Sequence, residues 1–276
     1  MSDKNRLAQK DPSGLTQFER ADAARADLAD LLDAQLSPLG IAALNELDLL
    51  PAQTVLDIGC GAGQSILQIY ESVGRTGSII GVDIGRRVLD VARTRTAHLS
   101  NVTLIQEDAA HLQLPAQSLD AIFSRFGVMF FDEPVAAFVN FKRMLRPGGK
   151  LSFVCWRSIQ ENELDHLPLE AAELAKGADQ TPFSFEKPDT IQQTLVAAGF
   201  GEIAINKFDR TVSCGGIENT LKVLTSVGAL GAILRKEPSL KKDAEPKVRK
   251  ALQSRLNKTG DVELEAATWI VRATAH

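Results

Sequence analysis

The stretch VLDIGCGAGQS, residues 55–65, decides the fold. It begins with apolar residues typical of a buried strand and continues into three glycines at alternate positions, Gly59, Gly61 and Gly63. Glycines this close together permit a sharp strand-to-helix turn and let a ligand approach the backbone. In an open α/β sheet, ligands bind at the carboxyl ends of the strands, which is where this turn would lie.

The spacing of the glycines restricts the kind of ligand. A phosphate loop reads GxxxxGK[ST], and no lysine follows these glycines. A dinucleotide fingerprint reads GxGxxG, whereas the third glycine here comes one residue earlier. Asp57, two residues before Gly59, would repel a pyrophosphate but suits an ammonium or sulfonium group. These residues therefore predict a cofactor without phosphate at this turn.

Short apolar runs alternate with helical patterns along most of the chain, which predicts strands separated by helices. The predicted strands are 54–59, 77–84, 101–108, 119–131, 150–156, 202–213 and 265–275. Alternation at this spacing indicates parallel βαβ units in a doubly wound, Rossmann-like α/β sheet. The last two strands lie on either side of a helical insertion, which the sequence predicts within residues 214–262.

Two helical segments come before the first strand. Residues 17–36 carry apolar residues at helical spacing, and a second helix is expected to begin at Ser37 and Pro38. We expect an N-terminal helical cap over residues 1–38 and a main domain over 39–276, in which the variable segments 157–187 and 214–262 would contact the substrate.

Composition and charge favour a globular protein of ordinary kind. The chain has 276 residues, of which 44% are hydrophobic and 24% charged, and its net charge is −4. This charge predicts no general attraction to nucleic acid or anionic membranes. No run approaches the roughly 18 apolar residues of a membrane span, and the polar start has no signal-peptide core. Three cysteines without metal-like spacing favour a reducing compartment, so we expect a cytoplasmic protein without a metal site.

Four motifs in order make the chain resemble the class I S-adenosylmethionine-dependent methyltransferases. The stretch at 55–65 is similar to the family's first motif, GVDI (81–84) to the second, and QEDAAHLQLPAQSLDAIFSRF (106–126) to the third and fourth. The resemblance covers about residues 40–156 and continues more weakly to the end. It implies a seven-stranded, mostly parallel sheet with an antiparallel last strand. Within the family, SRFGVMFF and FVCW resemble bacterial small-molecule enzymes related to quinone and sterol C-methyltransferases.

The resemblance also implies a site for S-adenosylmethionine. It assigns the ribose hydroxyls to Asp83, one adenine face to Ile84, and the adenine edge to Asp108 and the N–H of Ala109. The implied cofactor residues are Asp57, Gly59, Gly61, Gly63, Gln64, Asp83, Ile84, Asp108, Ala109, Ser124 and Arg125. Other roles remain open, because acids at strand ends often cap the following turn. Arg125 could instead pair with a core carboxylate.

The acceptor of the methyl group is less defined by the sequence. Aromatic residues predict an apolar or aromatic small molecule: Phe126, Phe130, Phe131, Trp156, Phe183 and Phe185. His166 is a weak candidate for a general base, since its polar surroundings are also typical of a solvated surface. Two alternatives stay open: an RNA or protein methyltransferase using the basic segment 235–258, which holds nine basic residues and three acids, or a non-catalytic cofactor-binding regulator.

Overall fold

A seven-stranded sheet forms the centre of the computed structural model, which describes residues 14–276. The strands are β1 (Thr54–Ile58), β2 (Ser78–Asp83), β3 (Val102–Gln106), β4 (Leu119–Arg125), β5 (Leu145–Trp156), β6 (Phe200–Val212) and β7 (Leu264–Ala275). Their spatial order is β3-β2-β1-β4-β5-β7-β6. Strands β1 to β5 are parallel and β7 is antiparallel to β5. This confirms the predicted Rossmann-like fold class.

Ten α-helices accompany the strands within residues 14–276. They are α1 (Gln17–Asp27), α2 (Ala29–Asn45), α3 (Gln64–Val73), α4 (Arg86–Thr96), α5 (Pro134–Met144), α6 (Glu163–Ala171), α7 (Pro188–Ala197), α8 (Ile217–Ser226), α9 (Gly228–Lys236) and α10 (Lys241–Gln253). The inner strands read as near-continuous apolar runs because helices cover both faces of a parallel sheet. Phe123, Phe138 and Phe153 are fully buried in this core.

The predicted helix break before Pro38 is wrong. The helical segment is interrupted at Leu28 instead, and α2 continues through Pro38 as far as Asn45. The proline removes one N–H donor from the helix, but Leu39 and Ala43 on the following turn are fully buried, so packing retains the helix. The hydroxyl of Ser37 does not cap a helix, since it accepts a hydrogen bond from Gln68 Nε2 at 2.8 Å.

The predicted limits of two strands also change. β5 begins at Leu145 rather than at residue 150, because Leu145 pairs with Leu119 before the register shifts. The Pro-Gly-Gly segment at 147–149 therefore lies within an irregular part of the strand instead of separating a helix from it. β4 ends at Arg125, and a short 3-10 turn follows at Val128–Phe130.

The chain divides into two compact units. The sheet unit comprises 37–158, 181–210 and 267–276, and the helical unit comprises the described residues 14–36 together with 159–180 and 211–266. Residues 1–13 of the predicted cap lie outside the described residues, and the cap at 1–38 stays a prediction.

Candidate functional site

A glycine loop connects β1 to α3 in the sheet unit. All three of its glycines have positive φ angles, +69° at Gly59, +52° at Gly61 and +85° at Gly63. The backbone N–H of Gly59 donates to the carbonyl of Val82 at 2.8 Å, which fixes the loop against β2. Residues with a Cβ rarely adopt positive φ angles, so the loop can form because these three positions are glycines.

The three glycines meet different surroundings. A Cβ at Gly59 would lie 2.9 Å from Gly127 Cα, and one at Gly63 would lie 3.0 Å from Ala92 Cβ, so both positions are packed. A Cβ at Gly61 would come no closer than 4.0 Å to any neighbouring heavy atom, the nearest being the carbonyl oxygen of Gly59. Gly61 is therefore the glycine whose backbone a ligand can approach. We did not predict Gly127 as part of this loop; its only signal is a glycine shortly after β4.

Asp83 joins the second motif to the first. Its Oδ2 accepts a hydrogen bond from Gly61 N at 3.0 Å, and its Oδ1 accepts from Gly85 N at 2.7 Å. The residue is partly exposed, and the neighbouring Ile84 exposes 48% of its surface. Because the residue is only partly buried, a ligand hydroxyl can reach this carboxylate, which has about four lone-pair directions. The carboxylate thus holds the loop and stays accessible.

Asp57 is fully buried on β1, close to the glycine loop. Its Oδ2 accepts from the Ser65 hydroxyl at 2.5 Å, whereas its Oδ1 has no hydrogen-bond partner among the described residues. Burial raises the pKa of Asp57 to about 7; Ser65 and Arg125 act in the opposite direction, and Asp83 adds to the rise. Buried carboxylate oxygens rarely lack a hydrogen-bond donor, so we expect a ligand to supply a donor to Oδ1. A positively charged donor such as an ammonium group would meet that requirement. Ser65 was not among the predicted site residues.

Asp108 and Ala109 follow β3 at the same edge of the sheet as Asp83, since Gln106 pairs with Asp83 in register. Asp108 Oδ1 accepts from Ala110 N at 2.9 Å and thereby caps the short turn Ala109–His111, as one alternative anticipated. Its other oxygen lies 3.2 Å from His111 Nδ1. The side chain remains exposed, so capping the turn leaves room for a contact with an adenine edge.

Ser124 and Arg125 lie at the end of β4. The hydroxyl of Ser124 is fully buried, donates to Ile58 O at 2.8 Å and accepts from Gly127 N at 3.1 Å. These two hydrogen bonds connect β1 to the turn after β4, so the surroundings of Ser124 support a structural role. Arg125 Nη1 donates to Gln64 Oε1 at 2.5 Å, which brings two predicted cofactor residues together.

Two aromatic residues stack at the carboxyl ends of β4 and β5. The ring centroids of Phe126 and Trp156 are 4.0 Å apart with an interplanar angle of 15°. Phe126 has a φ of +61°, a strained value for an aromatic residue. Strain of this kind is concentrated at functional sites. Among the other predicted aromatics, Phe130 is exposed, while Phe183 and Phe185 are buried in the core.

His166 lies on α6 in the helical unit. Its Nδ1 is 3.7 Å from Glu170 Oε2, and both side chains border a cavity of about 130 Å³. The preceding residue, Asp165, is buried and accepts from Ala229 N at 2.8 Å. Burial raises the pKa of Asp165, and His166 acts in the opposite direction. A role for His166 as general base stays a prediction.

The basic segment 235–258 is partly neutralised by carboxylates. The ion pairs are Lys241–Glu245, Lys247–Glu173, Arg249–Glu218 and Arg255–Glu163. Four of the nine basic residues of the segment are therefore paired with carboxylates.

Within residues 14–276, no group of three or more His, Cys, Asp or Glu side chains is placed to hold a metal ion. No single helix of that part is long and apolar enough to cross a membrane; α8 and α9 together reach the required length and composition but are bent by 59°.

Comparisons with known proteins agree with the fold. Residues 56–153 match the methyltransferase domain family. Demethylmenaquinone methyltransferase of Staphylococcus saprophyticus is 24% identical over 182 residues, which cover 60% of this chain and 77% of that protein. The solved structure of the YcgJ protein of Bacillus subtilis has a TM-score of 0.57 at 19% identity, covering 86% of this chain and 97% of that one. Phosphoethanolamine N-methyltransferase 2 of Haemonchus contortus, solved with phosphomonomethylethanolamine and S-adenosylhomocysteine, has a TM-score of 0.61 at 17% identity, covering 96% of this chain and 61% of that one.

Proposed function

We propose that this chain, a class I S-adenosylmethionine-dependent methyltransferase, methylates a carbon, oxygen or nitrogen of a small organic acceptor with a planar apolar part. The observation that carries the proposed acceptor is the stacked pair Phe126 and Trp156 at the ends of β4 and β5. The same edge of the sheet unit holds the glycine loop and Asp83.

The cofactor brings a methyl group on a sulfonium, which is already activated for an in-line displacement. In our proposal Asp57 Oδ1 accepts from the cofactor's ammonium, and the backbone at Gly61 borders the methionine and ribose parts. The Asp83 carboxylate accepts from the ribose hydroxyls, charge-assisted hydrogen bonds of the stronger kind. Ile84 covers one face of the adenine, and Asp108 with the N–H of Ala109 contacts its edge.

The protein's main contribution to the reaction is alignment of donor and acceptor. A flat, rigid aromatic surface restrains a planar acceptor and removes it from water, which favours a fixed line of attack. The names of the relatives support a small acceptor: one is a demethylmenaquinone methyltransferase, and another was solved with phosphomonomethylethanolamine. We assign no general base in this proposal, and His166 stays a prediction from the sequence.

Methyl transfer to a panel of phenols, quinols and amines tests the proposal. S-adenosylhomocysteine release would be measured for wild type, Phe126→Leu, Trp156→Leu and the exposed control Phe130→Leu. We expect the first two variants to raise KM for planar acceptors several-fold, with S-adenosylhomocysteine affinity unchanged, and the control to behave as wild type. Equal KM values in all four proteins would contradict a role for the stacked pair. Cofactor binding without turnover of any small molecule or of RNA would favour the regulator.

A further inference from the structure

A short segment after β4, residues 124–129, contacts both the glycine loop and the stacked aromatic pair, all within the sheet unit. On the side of the loop, the buried hydroxyl of Ser124 donates to the carbonyl of Ile58, the last residue of β1, at 2.8 Å. The same hydroxyl accepts from Gly127 N at 3.1 Å. One side chain therefore joins the turn after β4 to the residue that precedes the glycine loop.

Gly127 is required for space rather than for its backbone conformation. Its φ of −91° and ψ of −29° are right-handed values that other residues adopt readily. A Cβ at this position would lie 2.6 Å from the carbonyl oxygen of Ile58 and 3.1 Å from Gly59 Cα. A Cβ at Gly59 would in turn lie 2.9 Å from Gly127 Cα. The two backbones are in direct contact, which a Cβ on either glycine would prevent.

The other side of the segment holds both rings of the stacked pair. Phe126 N donates to Val154 O on β5 at 3.1 Å, and Trp156 N donates to Met129 Sδ at 3.4 Å. The φ of +61° at Phe126 is a strained value, which persists only where the surrounding structure enforces it. The segment therefore determines where the Phe126 ring lies. Both rings are partly exposed and remain accessible to a ligand.

We propose that Ser124 and Gly127 are positioning residues, which set the place of the stacked pair relative to the methyl donor at the glycine loop. The loop has an anchor of its own, because Gly59 N donates to Val82 O on β2. Loss of the Ser124 hydroxyl should therefore displace the rings and leave the cofactor site in place. The connection with the acceptor rests on the proposed function, whereas the hold of the segment on the two rings does not.

Ser152 provides a matched control within the sheet unit. Its hydroxyl is also fully buried and lies within hydrogen-bonding distance of two backbone carbonyls, those of Ala43 at 2.7 Å and Val271 at 3.0 Å. Neither carbonyl belongs to the glycine loop or to residues 124–129. Ser152→Ala and Ser124→Ala should both lower the melting temperature, but only the second should displace the stacked rings. If Ser124 served stability alone, the rings would be unaffected in both variants.

Tryptophan fluorescence tests the proposal without any ligand. The chain has two tryptophans, so a Trp269→Phe background leaves Trp156 as the only reporter. We expect acrylamide to quench Trp156 more strongly in Ser124→Ala, because the indole loses its stacking partner, and as in the parent in Ser152→Ala. Gly127→Ala moves the segment without removing a hydrogen bond and should also increase quenching.

Two fluorescence results would overturn the positioning role. One is unchanged quenching in Ser124→Ala, or in Gly127→Ala should the first variant fail to fold. The other is an equal increase in Ser124→Ala and Ser152→Ala, which would indicate a general loosening of the sheet unit.

Cofactor titration and turnover separate this inference from the proposed function. We expect Ser124→Ala to bind S-adenosylhomocysteine as wild type does, and its kcat with the phenols and quinols of the acceptor panel to fall about tenfold or more, since misaligned reactants react slowly. Weaker binding with an unchanged kcat would assign Ser124 to the cofactor and overturn the positioning role. Failure of wild type to bind S-adenosylhomocysteine would count against the proposed function, while the fluorescence result would still decide whether the segment holds the rings.

Discussion

The carboxylate of Asp83, at the end of β2, accepts a hydrogen bond from the backbone N–H of Gly61 at 3.0 Å. The residue that contacts the ribose in our proposal therefore also holds the one loop glycine that a ligand can approach. Its second oxygen accepts from Gly85 N at 2.7 Å, which places the start of α4 against the same carboxylate. Loss of Asp83 would affect the ligand and the loop together.

Asp83→Ala should weaken S-adenosylhomocysteine binding about tenfold or more, since hydrogen bonds to a charged group contribute about 1.5–3 kcal/mol. Isothermal titration calorimetry measures the change. Asp90→Ala, which removes an exposed carboxylate of α4 paired with Arg93, serves as the control and should bind normally. Wild-type affinity in Asp83→Ala would show that Asp83 only caps the turn.

Cofactor affinity should rise with pH and then level off near the pKa of Asp57. Burial raises that pKa to about 7, so at lower pH the carboxyl is neutral and cannot pair with the ligand's ammonium. Because binding favours the ionised form, we expect affinity to fall about tenfold from pH 8 to pH 6. Asp57→Asn should bind weakly at both pH values. A flat wild-type profile would contradict a contact between Asp57 and the ammonium.

The same group should make the free protein less stable as pH rises. Asp57 is neutral in the folded state up to a higher pH than in the unfolded state, so its favourable contribution to stability is complete below its ordinary pKa of 3.8 and is lost as pH approaches about 7. Asp57→Asn cannot ionise and should be more stable than wild type at pH 8, by up to about 4 kcal/mol. At pH 5 the difference should fall to less than half of that value, about 2 kcal/mol. Urea unfolding at both pH values measures it, and a constant difference would argue against ionisation of this buried group.

Gly61→Ala and Gly59→Ala should fail in different ways. At Gly61 the new Cβ meets no atom closer than 4.0 Å, so the variant should fold and lose cofactor affinity. At Gly59 the Cβ would lie 2.9 Å from the backbone of Gly127, so the variant should lose several degrees more in melting temperature. Gly148→Ala is the control, because Gly148 has a φ of +79° and open space around it. Normal cofactor affinity in Gly61→Ala would place the ligand elsewhere.

The order of strands and helices was predictable because each element carries its own periodic pattern. The glycine loop and Asp83 were predictable because their spacing along the chain is short. The helix break at Leu28 was not predictable. Pro38 is a strong local signal for a helix start, but the burial of Leu39 and Ala43 keeps the helix continuous there. The early start of β5 depends on the pairing of Leu145 with Leu119, a contact between strands that no local pattern reports.

The features that sequence could not supply are those that depend on distant residues. The unpartnered oxygen of Asp57 becomes visible only when burial and every neighbouring donor are known. The ion pairs of Lys247 with Glu173 and of Arg255 with Glu163 likewise join residues that are far apart in the chain. The left-handed backbone of Phe126 also has no sequence signal, because aromatic residues seldom adopt it.

The most direct test of the cofactor assignment is a calorimetric titration of the purified protein with S-adenosylhomocysteine, with NADH as the control ligand. We predict binding of S-adenosylhomocysteine with micromolar affinity and no binding of NADH. A folded protein that binds NADH, or that binds neither ligand, would contradict the assignment of the glycine loop, Asp57 and Asp83 to S-adenosylmethionine.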